Sequence, residues 1–585
     1  MSNVVPSGQP TGPYAPTPGR AQPASPVGRV VRQASDGWHE FAGRFDAQRV
    51  PLAGAGAALV VAGSFLPWAA FSGFPGKMTL SGYPGGVRAY CLALVVFAAF
   101  AFHRRAGGDA AGEVASLGML VVTLYTVLAI AVEGGGLVNV AVGGWLCLVG
   151  SVLLLAAFGS QPRDEVVEPL PPGSVWLQLL AIVVVIGLML MLVVEGLSIE
   201  ASNQFVAFLV AIAFFLLAAA RVGVTAWFQA ASERQRMITI VAALLSAAVF
   251  PFTQAGSNYW LRVAASVGVF AAVVVGLNIV VGLAGLLDLG YVAFFGVGAY
   301  VGASLSGAEA SNLDVHLPFL VVLVIGALVA AGFGIAIGAP TLRLRGDYLA
   351  IVTLAFGEIF RIAANNLDGT AGPKITNGPN GIPGVPNLEL PGGFNFGDSH
   401  ELFGIELAYF ANYFWAELVL LVFVILVFVR LNNSRVGRAW VAIREDETAA
   451  AAMGVNTTRL KLLAFAIGAF LAGAAGTLNA HLTTQVSPDS YKFDESILLL
   501  AAVVLGGMGT IGGALLGSAA IVVIPEKLRF VEEKRILLFG VALILMMRFR
   551  PEGIVPNKRR QREFHDDTSG ADATSAPPGS PVATA

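Results

Sequence analysis

Charged side chains are scarce in this chain of 585 residues: Asp, Glu, Lys and Arg make up 12% of it, whereas hydrophobic residues make up 56%. The mean hydropathy is +0.75. A soluble domain carries about a quarter charged residues, so the composition excludes an ordinary soluble protein and predicts one that lies in a lipid bilayer. The net charge of −2 gives no indication of nucleic-acid binding.

Cysteine and histidine are also rare. The two cysteines, Cys91 and Cys147, lie in apolar runs and are interpreted as small buried hydrophobes, so that neither a structural disulfide nor a metal site is expected. The six histidines are scattered, and none pairs at ligand spacing. No nucleophile, base and acid stand together either. The sequence therefore predicts no catalytic residue, no metal site and no enzyme activity.

A nucleotide-binding loop is missing as well. A Walker A loop needs a glycine, four free positions and then Gly-Lys-Ser or Gly-Lys-Thr after a strand. The only Gly-Lys pair, Gly76-Lys77, is followed by Met78 and has no glycine five residues before Gly76. The chain cannot supply its own ATPase through that motif.

Both ends of the chain have low complexity. Residues 1–50 are rich in Pro, Ser, Gly and Ala with scattered arginines, and they lack the apolar segment of a signal peptide. Residues 556–585 begin basic and then become low-complexity. Because neither segment can bury a core, both are predicted to be disordered cytoplasmic tails.

Continuously apolar runs recur between the tails, which favours membrane-spanning helices over the alternating strands of a barrel. The predicted runs are 52–71, 88–102, 115–132, 137–158, 175–194, 205–220, 238–252, 261–281, 291–305, 317–337, 348–364, 408–429 and 462–478, a glycine-interrupted pair at 497–505 and 511–524, and a last run at 536–547. The predicted fold is an all-α polytopic transmembrane bundle with about 13–15 apolar segments, some of them re-entrant or broken. The first six runs, within 51–235, are interpreted as accessory helices, and 236–555 as the functional core.

Basic residues predict the orientation. They concentrate in loops that alternating spans place on one side of the membrane. The segment 368–404, which falls on the other side, has a single Lys or Arg residue, Lys374. The basic loops contain 103–105, Arg163, 221–236, Arg343 with Arg345, and 430–461. The positive-inside rule therefore places residues 430–461 and both termini in the cytoplasm.

Residues 430–461 form a polar insert between two apolar runs. Glu445, Asp446 and Glu447 precede four alanines, and acidic residues favour the first turn of a helix. Met453 and Val455 add a small apolar surface that suits a groove on another protein. The insert is interpreted as a docking platform, the alternative being a solvated basic loop.

Two glycine-rich stretches, 276–300 and 503–514, predict a broken helix and a tightly packed or re-entrant hairpin. Broken helices at membrane depth usually line a cavity, although ordinary small-residue packing is the alternative. Glu358 and Arg361 are three residues apart, so they can pair on one face, which should point into the bundle. A structural pair is favoured over direct contact with a substrate. The candidates for a translocation path or gate are Asn278, Gly282, Gly285, Asp288, Gly290, Glu358, Arg361, Gly506, Gly507 and Gly509.

Several of these stretches together resemble the LivM-type permease of bacterial branched-chain amino-acid ABC importers. The resemblance covers roughly 238–551 and is carried by 276–300, 342–361, 378–382, 437–454 and 503–509. It implies a bacterial cell-membrane subunit that works with a second, LivH-type permease, two cytoplasmic ATPases and an extracytoplasmic protein that binds leucine, isoleucine or valine. ATP and Mg would bind to the ATPases, so no cofactor is expected on this chain.

The resemblance also implies a cytoplasmic coupling helix at about 435–461 that contacts the ATPase. Its predicted coupling residues are Gly437, Arg438, Arg444, Glu445, Asp446, Glu447, Ala449, Ala450 and Gly454. The family pattern is Glu-Ala-Ala, three free positions and Gly, but Thr448 stands at the glutamate position here and Glu447 is one residue earlier. Which acidic residue meets the ATPase therefore stays open.

Three other functions are compatible with the sequence. An ion-coupled secondary transporter would use Glu358 and Asp288 as coupling sites and would not need the insert. A permease for another small solute, such as urea, would share the same architecture. A membrane scaffold would not need the glycine-broken helices.

The turn-rich segment 370–384, predicted to lie outside the cell, is a candidate surface for an external partner.

Overall fold

The computed structural model describes residues 37–38, 41–69, 87–103, 108–159, 171, 173–199, 202–254, 257–313, 315–341, 348–370, 373–390, 394–402, 404–527, 534–550 and 553–555. The predicted tail 556–585, most of the tail 1–50, and Arg343 with Arg345 lie outside these ranges. The last part of the first tail is ordered, contrary to the prediction: Ala42 is buried and Asp46–Gln48 forms a single helical turn.

The described residues form nineteen α-helices, which confirms the all-α fold class. The helices in the first part of the chain are α1 Arg49–Phe65, α2 Val87–His103, α3 Gly108–Gly134, α4 Val142–Gly159, α5 Val175–Ser198, α6 Ser202–Val222 and α7 Val224–Arg234. They are followed by α8 Arg236–Thr253, α9 Asn258–Asn278, α10 Val292–Leu305, α11 Phe319–Thr341, α12 Tyr348–Asn366, α13 Phe410–Asn432, α14 Arg435–Glu445, α15 Glu447–Ala452, α16 Thr457–Thr483, α17 Phe493–Gly506, α18 Ile511–Lys527 and α19 Arg535–Phe549. Ten of the described helices are long and apolar enough to cross a membrane, so the protein is a multi-pass membrane protein.

The contacts divide the chain into two compact units. The first contains Met1–Ile182 and Asn203–Arg236, and the second contains Val183–Ser202 and Met237–Ala585. The predicted boundary at 235/236 lies next to this division. The segment Val183–Ser202, predicted to belong to the accessory helices, belongs to the second unit instead.

Within the first unit, α1 and α4 approach closely at glycines. A Cβ added to Gly63 would lie 2.8 Å from the carbonyl oxygen of Gly143, and Cys147 fills the space beside it. Cys91 and Cys147 are buried and free, as predicted. Buried hydroxyls are satisfied locally: Ser64 donates to the Val60 carbonyl oxygen at 2.6 Å, which removes the cost of a polar group in an apolar layer.

Within the second unit, α10, α11 and α16 form the centre of the core through small residues. Gly298 lies directly against Gly473, where an added Cβ would overlap the backbone. Thr477 donates to the Gly298 carbonyl oxygen at 3.0 Å across the same contact. Lipid tails are as apolar as leucine, so helices in a bilayer associate through close packing of this kind rather than through a hydrophobic force.

The segment between α12 and α13 is turn-rich and contains no helix longer than one turn among its described residues, as predicted. Its strands are β1 Ile382–Pro383, which pairs with β6 Gln485–Val486, and two hairpins, β2 Glu389–Leu390 with β3 Phe394–Asn395 and β4 His400–Leu402 with β5 Ile405–Leu407. Tyr413 of α13 anchors the segment by donating to Asn387 at 2.9 Å. Hydrogen bonds from the Thr370 hydroxyl and backbone amide lower the pKa of the Asp368 carboxyl at its start. Its role as a partner surface stays a prediction.

Candidate coupling site and translocation path

The polar insert folds into two short helices, α14 and α15, that meet at Asp446. The Asp446 carboxylate accepts hydrogen bonds from the backbone amides of Thr448 at 2.8 Å and Ala449 at 2.9 Å, so it caps α15. Gly454, with a φ of +85°, ends the insert's helical part. The prediction of one helix over 435–461 is therefore wrong. The chain forms separate helices there, because the capping Asp446 and the left-handed Gly454 interrupt the helix.

Two side chains attach α14 and α15 to α16, the membrane helix that follows them. Trp440 is fully buried and donates from Nε1 to the Leu460 carbonyl oxygen at 2.7 Å. Lys461, only 6% exposed, lies with its Nζ 2.6 Å from Oε2 of Glu447. Lys461 is therefore paired inside the chain.

The predicted coupling residues do not all face outward. Those that are exposed are Arg438, Glu445, Asp446, Ala449 and Gly454. Gly437 and Ala450 are buried, so this fold does not allow either of them to touch a docking protein directly. The most exposed large apolar side chain of the insert is Met453, at 85%. The surface available for docking is therefore the alanine face of α15 together with Met453.

Substituting Lys461 by alanine should loosen α15. The ion pair is buried at the lysine and 41% exposed at Glu447, so its contribution should lie between that of an exposed pair and that of a buried one, about 1–2 kcal/mol. We expect roughly tenfold faster amide hydrogen exchange over 448–452. Lys492→Ala is the matched control, since Lys492 pairs with Asp489 at the surface. Equal effects of the two substitutions on local exchange would contradict this role of Lys461.

The helix α9 breaks where the glycine-rich stretch predicts it. Ile279–Leu283 forms a π-helical turn, residues 284–291 are irregular, and α10 begins at Val292. Gly285, with a φ of +71°, adopts a left-handed conformation within the irregular segment. We refer to residues 279–291 as the break. Such π-turns often occur at functional sites.

Asn278, the last residue of α9 before the break, contacts a second glycine-rich segment. Residues 507–510 form the glycine loop between α17 and α18. The Asn278 side chain donates to the Thr510 carbonyl oxygen at 2.9 Å and accepts from the Gly509 amide at 2.7 Å. A Cβ added to Gly282 would lie 2.6 Å from the Gly509 amide nitrogen. The structure thus joins Asn278, Gly282 and Gly509, which the sequence proposed only as separate candidates.

The glycine loop turns sharply between two tightly packed helices, as the hairpin interpretation predicts. Gly507 and Gly509 have φ angles of +126° and +76°. A Cβ added to Gly506 would overlap the Gly513 backbone, so the two helices touch at their glycines. Residues 553–555 add a contact that sequence analysis missed, since Val555 donates to the Gly506 carbonyl oxygen at 2.9 Å. No pattern marks these residues, because they lie beyond the last apolar run.

Asp288 and Gly290 lie at a different contact, between the break and α12. Asp288 is 1% exposed, and its Oδ1 accepts from the Gly290 amide at 2.9 Å. Its Oδ2 has no hydrogen-bond partner among the described residues. The Thr353 hydroxyl accepts from the Leu289 amide at 3.0 Å. This half of the break is therefore tied to α12.

Glu358 and Arg361 pair as their spacing predicts, with 3.0 Å between Arg361 Nε and Glu358 Oε2. The expectation was that they point into the bundle; within this chain their side chains remain 35% and 30% exposed. The reason is that α12 packs through its opposite face, which contains Thr353, Gly357 and Ala364. The uncovered face of α12 also exposes Tyr348, Ile351, Ile359 and Ile362. An ion pair among apolar residues at membrane depth needs a cover other than lipid.

Two ionisable residues inside the second unit escaped sequence analysis. Glu417 is buried in the middle of α13, and neither carboxyl oxygen has a hydrogen-bond partner in the described part of the chain. Lys527, buried at the end of α18, donates to the carbonyl oxygens of Leu197 and Ile199, each at 2.6 Å, and lies 3.8 Å from the centre of the Trp260 ring. The signal that could have found both is the rarity of charge within apolar runs.

The family described as branched-chain amino acid transport system / permease component matches residues 259–547. This range contains the break, the uncovered face of α12, the insert and the glycine loop.

Three individual relatives also align with the chain. The high-affinity branched-chain amino acid transport system permease protein LivM of Salmonella typhimurium is 40% identical over 344 residues, which are 56% of this chain and 77% of the relative. The corresponding LivH protein of Escherichia coli is 27% identical over 292 residues, 49% of this chain and 91% of the relative. BraD of Pseudomonas aeruginosa is 29% identical over 294 residues, again 49% of this chain and 91% of the relative. No solved structure matches the chain.

Proposed function

Because the chain belongs to the family of branched-chain amino-acid transport permeases, we propose that it is the transmembrane permease subunit of an ATP-driven ABC importer for leucine, isoleucine and valine. The observation that carries the ATP-driven mechanism is the fold of the insert. Its two short helices, α14 and α15, are attached to α16 through Trp440 and Lys461. They leave Met453 exposed. A transporter driven by an ion gradient alone has no need of such a platform.

The partners of this chain are a second permease of the LivH type, two ATPases that bind ATP and Mg, and an extracytoplasmic binding protein. Relatives named LivM and LivH both align with this chain, which supports a pair of related permease subunits. The uncovered face of α12, with its ion pair Glu358–Arg361, suits a contact with the second permease along the path. This chain itself binds no nucleotide.

The protein lies in the bacterial cell membrane with the insert and both termini in the cytoplasm. The distribution of basic residues supports this orientation. The segment between α12 and α13 then faces outward, where a binding protein delivers the amino acid.

Transport follows alternating access. Closure of the ATPases displaces α15, and the displacement changes the packing of helices around the central path. The break and the glycine loop are the places where the chain can change direction at low cost, because their glycines already occupy conformations that other residues rarely adopt. The candidate path residues Asn278, Gly282 and Gly509 connect these two segments.

The proposal is tested by reconstituting the chain with its permease, ATPase and binding-protein partners in liposomes. We expect uptake of labelled leucine that requires ATP inside the vesicle and is competed by isoleucine and valine but not by urea. The chain reconstituted alone should take up no leucine under a proton or sodium gradient. Gradient-driven uptake by the isolated chain would show an ion-coupled transporter, and competition by urea alone would show another solute.

A further inference from the structure

The Arg444 side chain connects α14 with the break. It lies in the last turn of α14, and its Nη1 donates to the Gly282 carbonyl oxygen at 2.8 Å. The aliphatic part of the side chain covers Gly285, where an added Cβ would lie 2.8 Å from the Arg444 Cβ and 3.1 Å from its Cδ. A larger residue at 285 would therefore push the arginine away.

The Gly282 carbonyl is suited to this contact. It belongs to the last turn of the π-helical segment Ile279–Leu283, and the terminal carbonyl groups of a helix carry a partial negative charge and need donors from outside the helix. A guanidinium group supplies a charged donor with fixed geometry, which makes the bond shorter and stronger than a neutral one.

The contact continues from the break to the glycine loop. Gly282 lies against Asn278 and the Gly509 amide, and Asn278 holds Gly509 and Thr510 by two hydrogen bonds. A shift of α14 would therefore move the Gly282 carbonyl, and with it the loop that joins α17 to α18. These groups form one physically continuous series of contacts, which is the condition for mechanical coupling between two sites.

We propose that Arg444 is a positioning residue that transmits movement of the insert to the glycine loop, rather than a residue that binds the ATPase. This rests on the proposed function. The insert keeps its own supports without Arg444, since Trp440 and the Lys461–Glu447 pair attach it to α16. Loss of Arg444 should consequently separate ATP hydrolysis from transport while the docking surface stays intact.

The test compares Arg444→Ala and Arg444→Lys in the reconstituted complex. Arg444→Ala should retain ATPase subunits in normal stoichiometry and hydrolyse ATP within about twofold of the unmodified complex, but take up leucine at least tenfold more slowly. Lysine keeps a cationic donor and should restore part of the uptake. Arg548→Ala is the control, because Arg548 is also an arginine in the last turn of its helix and is exposed. It should leave ATPase stoichiometry, ATP hydrolysis and leucine uptake unchanged.

A second variant keeps the test independent of any effect that substitution of Arg444 has on folding. Asn278→Ala removes both bonds to the glycine loop and should give the same uncoupled phenotype. The double variant should lower uptake no further than the more severe single one, because both residues act in one series of contacts. Loss of ATPase co-purification in Arg444→Ala would show a docking residue and overturn the proposal, as would unchanged uptake per ATP hydrolysed. Failure of the proposed function would be visible separately, as absent ATP-dependent uptake in the unmodified complex.

Discussion

Replacing Gly298 by leucine should prevent the second unit from folding stably. A Cβ at this position would overlap the backbone of Gly473, so α10 and α16 would have to separate along their whole contact. The separation would also break the hydrogen bond from Thr477 to the Gly298 carbonyl oxygen. Overpacking of this kind costs about 3 kcal/mol or more when backbone rather than a flexible side chain must move. We expect a low yield of folded protein and a thermal unfolding midpoint in detergent lowered by several degrees or more.

Gly332→Leu is the matched control. Gly332 lies within α11, also a membrane helix, and has open space where a Cβ would stand. Leucine is a better helix former than glycine, so this variant should fold with an unchanged or slightly higher midpoint. Equal midpoints for the two leucine variants would contradict the close packing of α10 on α16.

Met453→Asp should release the ATPases from the permease complex. Met453 projects from the end of α15 and is largely exposed, so in the proposed assembly it is the residue best placed to enter an apolar groove. A carboxylate buried there would have no partner, and truncation or charge at such an anchor typically costs 2 kcal/mol or more, about a thirtyfold loss of affinity. We expect co-purification of ATPase subunits and leucine uptake to fall together.

Met453→Leu keeps an apolar side chain of similar volume and should retain ATPase binding. The thermal midpoint should be unchanged in both Met453 variants, because substitution of an exposed side chain outside any hydrogen bond usually alters stability by less than about 0.5 kcal/mol. Normal ATPase recruitment by Met453→Asp would place the docking surface elsewhere on the insert. Met453→Asp and Arg444→Ala together distinguish docking of the ATPases from transmission of their movement, since Arg444→Ala should leave ATPase recruitment intact.

Much of this architecture could be predicted from composition and local pattern. The break after α9 and the hairpin of α17 and α18 follow from glycine density, because glycine alone permits both close helix contact and left-handed backbone. The acidic start of α15 follows from the preference of Asp for a helix N-terminus, and Asp446 does cap it. The Glu358–Arg361 pair follows from their spacing on a helix. All of these depend on residues close together in sequence.

Contacts between distant residues could not be predicted in the same way. Arg444 and Gly282 are far apart in sequence, and nothing in either segment identifies the other. The inward direction of Ala450 and Lys461 depends on where α15 rests on α16, and local helix propensity does not determine that. Glu358 and Arg361 were expected to point into the bundle because charge is costly against lipid, but the face of α12 that packs is set by contacts of Thr353 and Gly357 with the distant break.

The contacts of Lys527 show that the residues that must fold together extend beyond those that the family matches. The family resemblance spans 259–547, yet this buried lysine takes two of its hydrogen-bond acceptors from Leu197 and Ile199, well before that range begins. A shortened protein that starts at residue 259 would keep the cation and lose those carbonyl groups, which leaves a charge in an apolar layer with fewer acceptors. The end of α5 belongs to the second unit although it lies before the residues that the family matches. Any attempt to reduce this protein to a minimal transporter should therefore cut before 183, not at the predicted boundary of 235/236.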